Sequence, residues 1–164
     1  ESFPKYKING KVASIRTLRS CKVYCIDTNE GVVSKNTVNN LGEFQNDDTK
    51  FIAPGILLVV PDIYEEDGWT DKVQASIVTF DPNILNLPYN FESFIVKGDH
   101  SINPLETSIS LSILKENNFD LYKFAKDISA NESLSLESIK ELQVILKKID
   151  EDTYKRHINY ILAS

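Results

Sequence analysis

Near residue 103 the hydrophobic period of this chain changes, and that change limits the fold more than any single motif does. Before it, apolar residues come in short runs: KVASIRTL (11–18), KVYCID (22–27), GVVSKNTV (31–38), TKFIAP (49–54), ILLVVP (56–61) and QASIVTF (74–80). These are rich in Val, Ile, Phe and Tyr, which suit a pleated, half-buried surface. Between them DTNEG, VNNLGE, QNDDT and YEEDGWTD are dense in Asn, Asp and Gly, the residues that enter turns at least cost. About six to eight short strands at this spacing predict a barrel or a two-sheet jelly roll.

After residue 103 the period is helical. In NPLETSISLSILKEN, Asn103 is a candidate N-cap, Pro104 takes the first helical position and Glu106 lies in the first turn. Leu105, Ile109, Ser112 and Ile113 form its stripe. FDLYKFAKDI (119–128) reads as a short second helix. SLSLESIKELQVILKKID (133–150) is the clearest: Leu136, Ile139, Leu142, Ile145 with Leu146, and Ile149 recur every three or four residues. Ser133 or Ser135 can cap it, and early Glu137 and late Lys147 and Lys148 complement its macrodipole. EDTYKRHINYILA (151–163) sets Tyr154, Ile158, Ile161 and Leu162 on one face. The expected fold class is α+β, with a barrel or jelly roll over residues 1–102 and helices over 103–164. The last two helices are expected to pair as a hairpin whose apolar seam covers the barrel or forms a dimer.

Composition narrows the functions. The 164 residues carry a net charge of −6 and a pI of about 5.0, and no basic run of five or more occurs. Contact with nucleic acid by this chain is therefore not expected, since such affinity rests on clustered Lys and Arg. No apolar run approaches the roughly 20 residues of a bilayer span, and no signal peptide opens the chain. The chain begins at Glu1 and holds no Met, as a trimmed chain does. Cys21 and Cys25, four apart on a strand, share a face about 13 Å apart. That is too far for a disulfide, so reduced packing cysteines in a cytoplasmic protein are expected.

Catalytic and metal signatures are sparse. The two histidines are His100, expected in a loop, and His157, expected as a surface or helix-end residue. The two-His-plus-Glu pattern of metal-binding cupins is missing, so neither metal nor cofactor is expected. There is no G-x-S-x-G and no Gly-rich phosphate loop, so the chain is not expected to be an enzyme. YEEDGWTD reads as a solvated turn, with Trp69 as a barrel-edge cap or a partner contact. A binding module remains, because a small barrel can enclose an apolar ligand held by one or two polar anchors. Alternation along CKVYCID puts Lys22, Tyr24 and Ile26 on one face and Cys21, Val23 and Cys25 on the other. Either the Lys22 face turns inward and its ammonium needs a partner such as a ligand carboxylate, or that face is solvated and the cysteines with Val23 form the core.

GEFQNDDTKFIAPGILLVVPDIYEE followed by KVQASIVTFDPNIL, with CKVYCIDT upstream, resembles the N-terminal domain of AraC-type transcription regulators over about residues 15–88. The resemblance implies a cupin-like barrel that binds a small effector, a helical dimerisation element giving a homodimer, and a separate helix-turn-helix pair, not in this chain, that contacts DNA. In virulence regulators of this kind the effector is a fatty acid whose carboxylate meets a strand lysine. Carried over by residue, Lys22 is that anchor, and Tyr24, Val59 and Ile77, with Leu18 and Ala75, line the cavity. Dimer contacts then fall on Leu142, Ile145, Leu146 and Ile149. The competing expectation is a protein-interaction module such as a secretion-associated chaperone, which the small size, acidic pI and helical seam also fit.

Overall fold

Seven consecutive buried residues, Gly55–Pro61, form the strand on which the rest of the molecule is built. An unbroken apolar run of this kind reads as a strand covered on both faces. A computed structural model describes residues 6–12, 21–28, 31–39, 41–51, 55–62, 73–78, 100–131, 136–149 and 151–163. The strands are β1 (Tyr6–Val12), β2 (Cys21–Asp27), β3 (Gly31–Thr37), β4 (Glu43–Phe51), β5 (Gly55–Pro61), β6 (Gln74–Val78) and β7 (His100–Ile102). The helices are α1 (Pro104–Glu116), α2 (Leu121–Asn131), α3 (Leu136–Lys148) and α4 (Glu151–Ala163).

The strands make two sheets. One has the order β3-β2-β5-β6 and is antiparallel throughout, with Val23 opposite Val59, Tyr24 opposite Leu58 and Leu58 opposite Ala75. The other has the order β4-β1-β7, with β7 parallel to β1. Among the described residues no ladder joins the two into a closed barrel. The fold is α+β.

Each face of the four-stranded sheet has its own core. Cys21, Val23, Cys25, Leu57 and Val59 meet Val12, Phe44 and Ile102 of the second sheet. Tyr24, Ile26, Ile56, Leu58, Val60, Ala75 and Ile77 meet Ile109, Ile113, Leu114, Phe124, Leu142 and Leu146 of the helices. The result is three layers: sheet, sheet, helices.

Local chemistry sets the element ends. Asn103 caps α1, its Oδ1 accepting from the Glu106 N–H at 2.8 Å, and Pro104 follows at the first position. α1 ends where Asn118 adopts a left-handed φ of 60°, a conformation Asn tolerates, and the Phe119 N–H returns to the Leu114 carbonyl at 2.9 Å. The turn between β3 and β4 is held by Asn39 Oδ1, which accepts from the N–H groups of Leu41 and Glu43. Gly42 in that turn has φ +81°, and a Cβ there would lie 2.6 Å from the Val12 carbonyl oxygen, so only glycine fits.

Several expectations change. α1 buries Thr107 and Ser110 while Leu105 is 45% exposed. The reason is the edge of β6: Ala75 N–H donates to Thr107 Oγ1 and Ile77 N–H to Ser110 Oγ, both at 3.1 Å. The helix thus supplies acceptors to a strand that, among the described residues, lies at the sheet edge. QNDDT, expected as a turn, lies inside β4, an edge strand where polar residues are tolerated. His100 begins β7 instead of lying in a loop. The expected α3–α4 hairpin is replaced by packing of α3 on β3 and β5 and of α4 on α1. Leu142, Ile145 and Leu146 are buried in the protomer's own core and Ile149 packs on it, so the four residues expected at a dimer contact are already covered. The outer face of the sheet, with Tyr24, Ile26 and Leu58, needs that apolar stripe as its cover. Residues 13–20, YEEDGWTD with Trp69, and the caps Ser133 and Ser135 lie outside the described residues. No helix among the described residues is long and apolar enough to cross a membrane.

Candidate functional site

The strand β2 presents its two faces to two different layers, and this places every expected ligand contact. Lys22 is on the helix-side face at its rim. Its Nζ lies 3.0 and 3.1 Å from the two carboxylate oxygens of Asp62, just past the end of β5, with both side chains a little over a quarter exposed. The expected anchor therefore already holds a carboxylate from its own chain. Tyr24, Ala75 and Ile77 share the helix-side face, where Lys35 Nζ stands 5.9 Å from the centre of the Tyr24 ring. Val59 does not join them: it lies in the core between the sheets with Val23 and Leu57. Adjacent residues on a strand point to opposite faces, so Leu58, opposite both Tyr24 and Ala75, takes the position expected of Val59. Leu18 lies outside the described residues.

The cysteines face inward between the sheets as buried thiols. Burial pushes the Cys21 thiol up to about 11; Asp62 pushes the same way and Lys22 opposes it. Cys25 Sγ lies 3.5 Å from Asn36 Nδ2.

Three polar residues join that interior: Asp27, fully buried on the cysteine side of β2, and the β6 pair Gln74 and Ser76. Val73, Ala75 and Ile77 belong to the helix-side core, so Gln74 and Ser76 turn to the inter-sheet side, each 6% exposed. Gln74 Oε1 is buried with no hydrogen-bond partner among the described residues. A buried carbonyl of this kind costs free energy unless something donates to it. This pair is not among the site residues expected from the sequence. The signal was there, as polar residues alternating with Ala75 and Ile77 inside QASIVTF.

A second cluster stands between α1 and α4. His157, expected at the surface, is 5% exposed. Its Nδ1 is 2.7 Å from Ser112 Oγ. Its Nε2 is 2.5 Å from Glu116 Oε2, in a contact too bent to count as a hydrogen bond. Glu116 receives both guanidinium nitrogens of Arg156, at 3.0 and 3.2 Å. The hydrogen bonds from Arg156, assisted by His157, hold the Glu116 carboxyl below its usual range. Nearby, Tyr154 OH donates to Glu106 Oε2 at 2.6 Å, and burial with that carboxylate raises the phenol. Serine, histidine and glutamate are the residue types of an acyl-transfer triad. Ser112, however, lies within α1, whose backbone N–H groups are committed to the helix, so its own backbone offers no oxyanion donor. The cluster braces α4 against α1.

Among the described residues no group of three or more His, Cys, Asp or Glu is placed to hold a metal ion. Comparison with protein-family models, curated proteins and solved structures finds no match to this chain.

Proposed function

We propose that this chain is the effector-sensing part of an AraC-type transcription regulator, acting in the cytoplasm as a homodimer. In this reading the two sheets are a cupin-like jelly roll that takes a small, mostly apolar effector between them. The helices pass its occupancy to a helix-turn-helix domain outside this chain. The observation that carries the reading is Gln74 Oε1, a buried acceptor with no partner among the described residues, beside Ser76 on an inner face lined mainly by apolar side chains. Apolar sites with a few convergent polar groups are the usual form of a ligand pocket.

The same short strand supplies a route outward. Gln74 and Ser76 face the interior, while the N–H groups of Ala75 and Ile77 are bonded to α1. A ligand that draws on Gln74 acts on the strand that holds α1 in place, and an effector can shift only states it binds unequally. Because Leu142, Ile145 and Leu146 are covered, the homodimer contact falls on the outer face of α3, where Leu136 and Val144 are 66% and 52% exposed.

The fatty-acid version with Lys22 as anchor puts the carboxylate on the other side of the sheet, in place of Asp62. The ion pair there is already made, whereas the acceptor at Gln74 is unfilled. The second placement is therefore favoured, with an effector that carries a hydroxyl or N–H donor. Titration with 1-decanol and with decanoate separates the two. Binding of decanol that is lost in Gln74→Leu and kept in Lys22→Ala supports the inter-sheet site. Binding of decanoate lost only in Lys22→Ala moves the effector to the Asp62 rim. If neither binds and no small molecule co-purifies in native mass spectrometry, the effector reading fails. If the reading frame past Ser164 encodes no helix-turn-helix pair, the regulator reading fails with it.

A further inference from the structure

We infer that the groove between α1 and α4 is a second binding site, for a small organic carboxylate with an apolar body. The groove encloses about 570 Å³, within the range of small-molecule sites. Leu111, Tyr160 and Ile161 give it an apolar lining. Along it stand two cations, Lys115 and Arg156, and the His157 imidazole, against the single carboxylate of Glu116. This local excess of positive charge occurs in a chain of net charge −6, so it selects anions where the molecule as a whole repels them.

The mode of binding is visible in the chain's own groups. Glu116 places its carboxylate between the Arg156 guanidinium and His157 Nε2. Its side chain is 47% exposed and that of Arg156 59%, and pairs so exposed part at little cost. His157 is different: its side chain is 7% exposed, its Nδ1 is engaged by Ser112, and its Nε2 lacks an aligned hydrogen-bond partner. A ligand carboxylate that takes the place of Glu116 gains the planar Arg156 fork and an aligned approach to Nε2, while Glu116 turns to solvent. The ligand's apolar body then covers Tyr160, which is 72% exposed. This site is separate from the inter-sheet interior and does not rest on the regulatory reading.

The test is a titration of isotope-labelled protein with 4-phenylbutyrate, followed by amide chemical shifts, with 4-phenylbutanamide as the neutral match. The acid is expected to give saturable shifts on residues 108–116 and 156–161, and the amide to bind about tenfold more weakly or not at all. Arg156→Gln is expected to weaken binding of the acid by about tenfold. Glu116→Gln is expected to tighten it several-fold, because the internal competitor is gone. Both positions are exposed, and unchanged spectra elsewhere verify that the variants fold. Lys22→Ala and Gln74→Leu are expected to leave this binding unaltered, which separates the site from the proposed effector site. Equal binding of acid and amide, shifts confined to the sheets, no saturable shift, or weakening by Glu116→Gln would each overturn the proposal.

Discussion

Lys22 is an ion-pair partner at the rim of a sheet, and its stability contribution follows from that. Partly exposed pairs contribute under about 1 kcal/mol, so Lys22→Ala is expected to lower unfolding free energy by less than that in urea denaturation. A loss above about 3 kcal/mol would instead mean that Lys22 is a structural residue of the helix-side face. The neighbouring thiol reports the same pair. Burial pushes Cys21 up to about 11 from an ordinary 9.0. Because its folded value is raised, the stability linked to it is fully present below about pH 9 and is lost as pH rises through 11. In a Cys25→Ala background, thiolate absorbance is expected to show the Cys21 midpoint moving down in Asp62→Asn and up in Lys22→Ala. Movement of both in one direction would show that the pair does not govern the thiol. The sequence displayed the charge and its strand. It did not display Asp62 as the partner, because forty residues separate the two and only the β2–β5 register brings them together.

At the scale of elements, caps and periods were legible where they are local. Asn103, Pro104 and Glu106 mark the start of α1, and α4 spans 151–163 as its periodicity predicts. QNDDT was not legible as strand, since its pairing partner is β1, more than thirty residues upstream. The partner of the α3 stripe was not legible either, because a heptad-like seam looks the same whether it meets a helix, a sheet or a second copy. The structure assigns it to the sheet. Leu146→Ala is accordingly expected to cost about 2–5 kcal/mol in chemical denaturation, and Val144→Ala, on the outer face, less than about 0.5 kcal/mol at concentrations where the chain is monomeric. Comparable losses at the two positions would mean that α3 is buried on both sides.

For the whole molecule, the three-layer arrangement makes the four-stranded sheet the most protected unit. Amides of residues 23–26 and 56–60 are expected to exchange with solvent at the rate of global unfolding, and those of α4 faster. Hydrogen exchange read by mass spectrometry checks this, and slower exchange in α4 than in β5 would contradict the layering. Alternation along Cys21–Asp27 determined by itself that Lys22, Tyr24 and Ile26 lie on one side of a strand and Cys21, Val23 and Cys25 on the other. That follows from the pleat, which is a property of neighbouring peptide units. Which side meets the second sheet and which meets the helices was decided only by tertiary packing. Val12, Phe44 and Ile102 cover the cysteines, and Ile109, Leu142 and Leu146 cover Tyr24 and Ile26. Both faces are apolar enough to bury, so no local energy difference distinguishes them. The choice falls to layers contributed by residues as far apart in sequence as Tyr24 and Leu146.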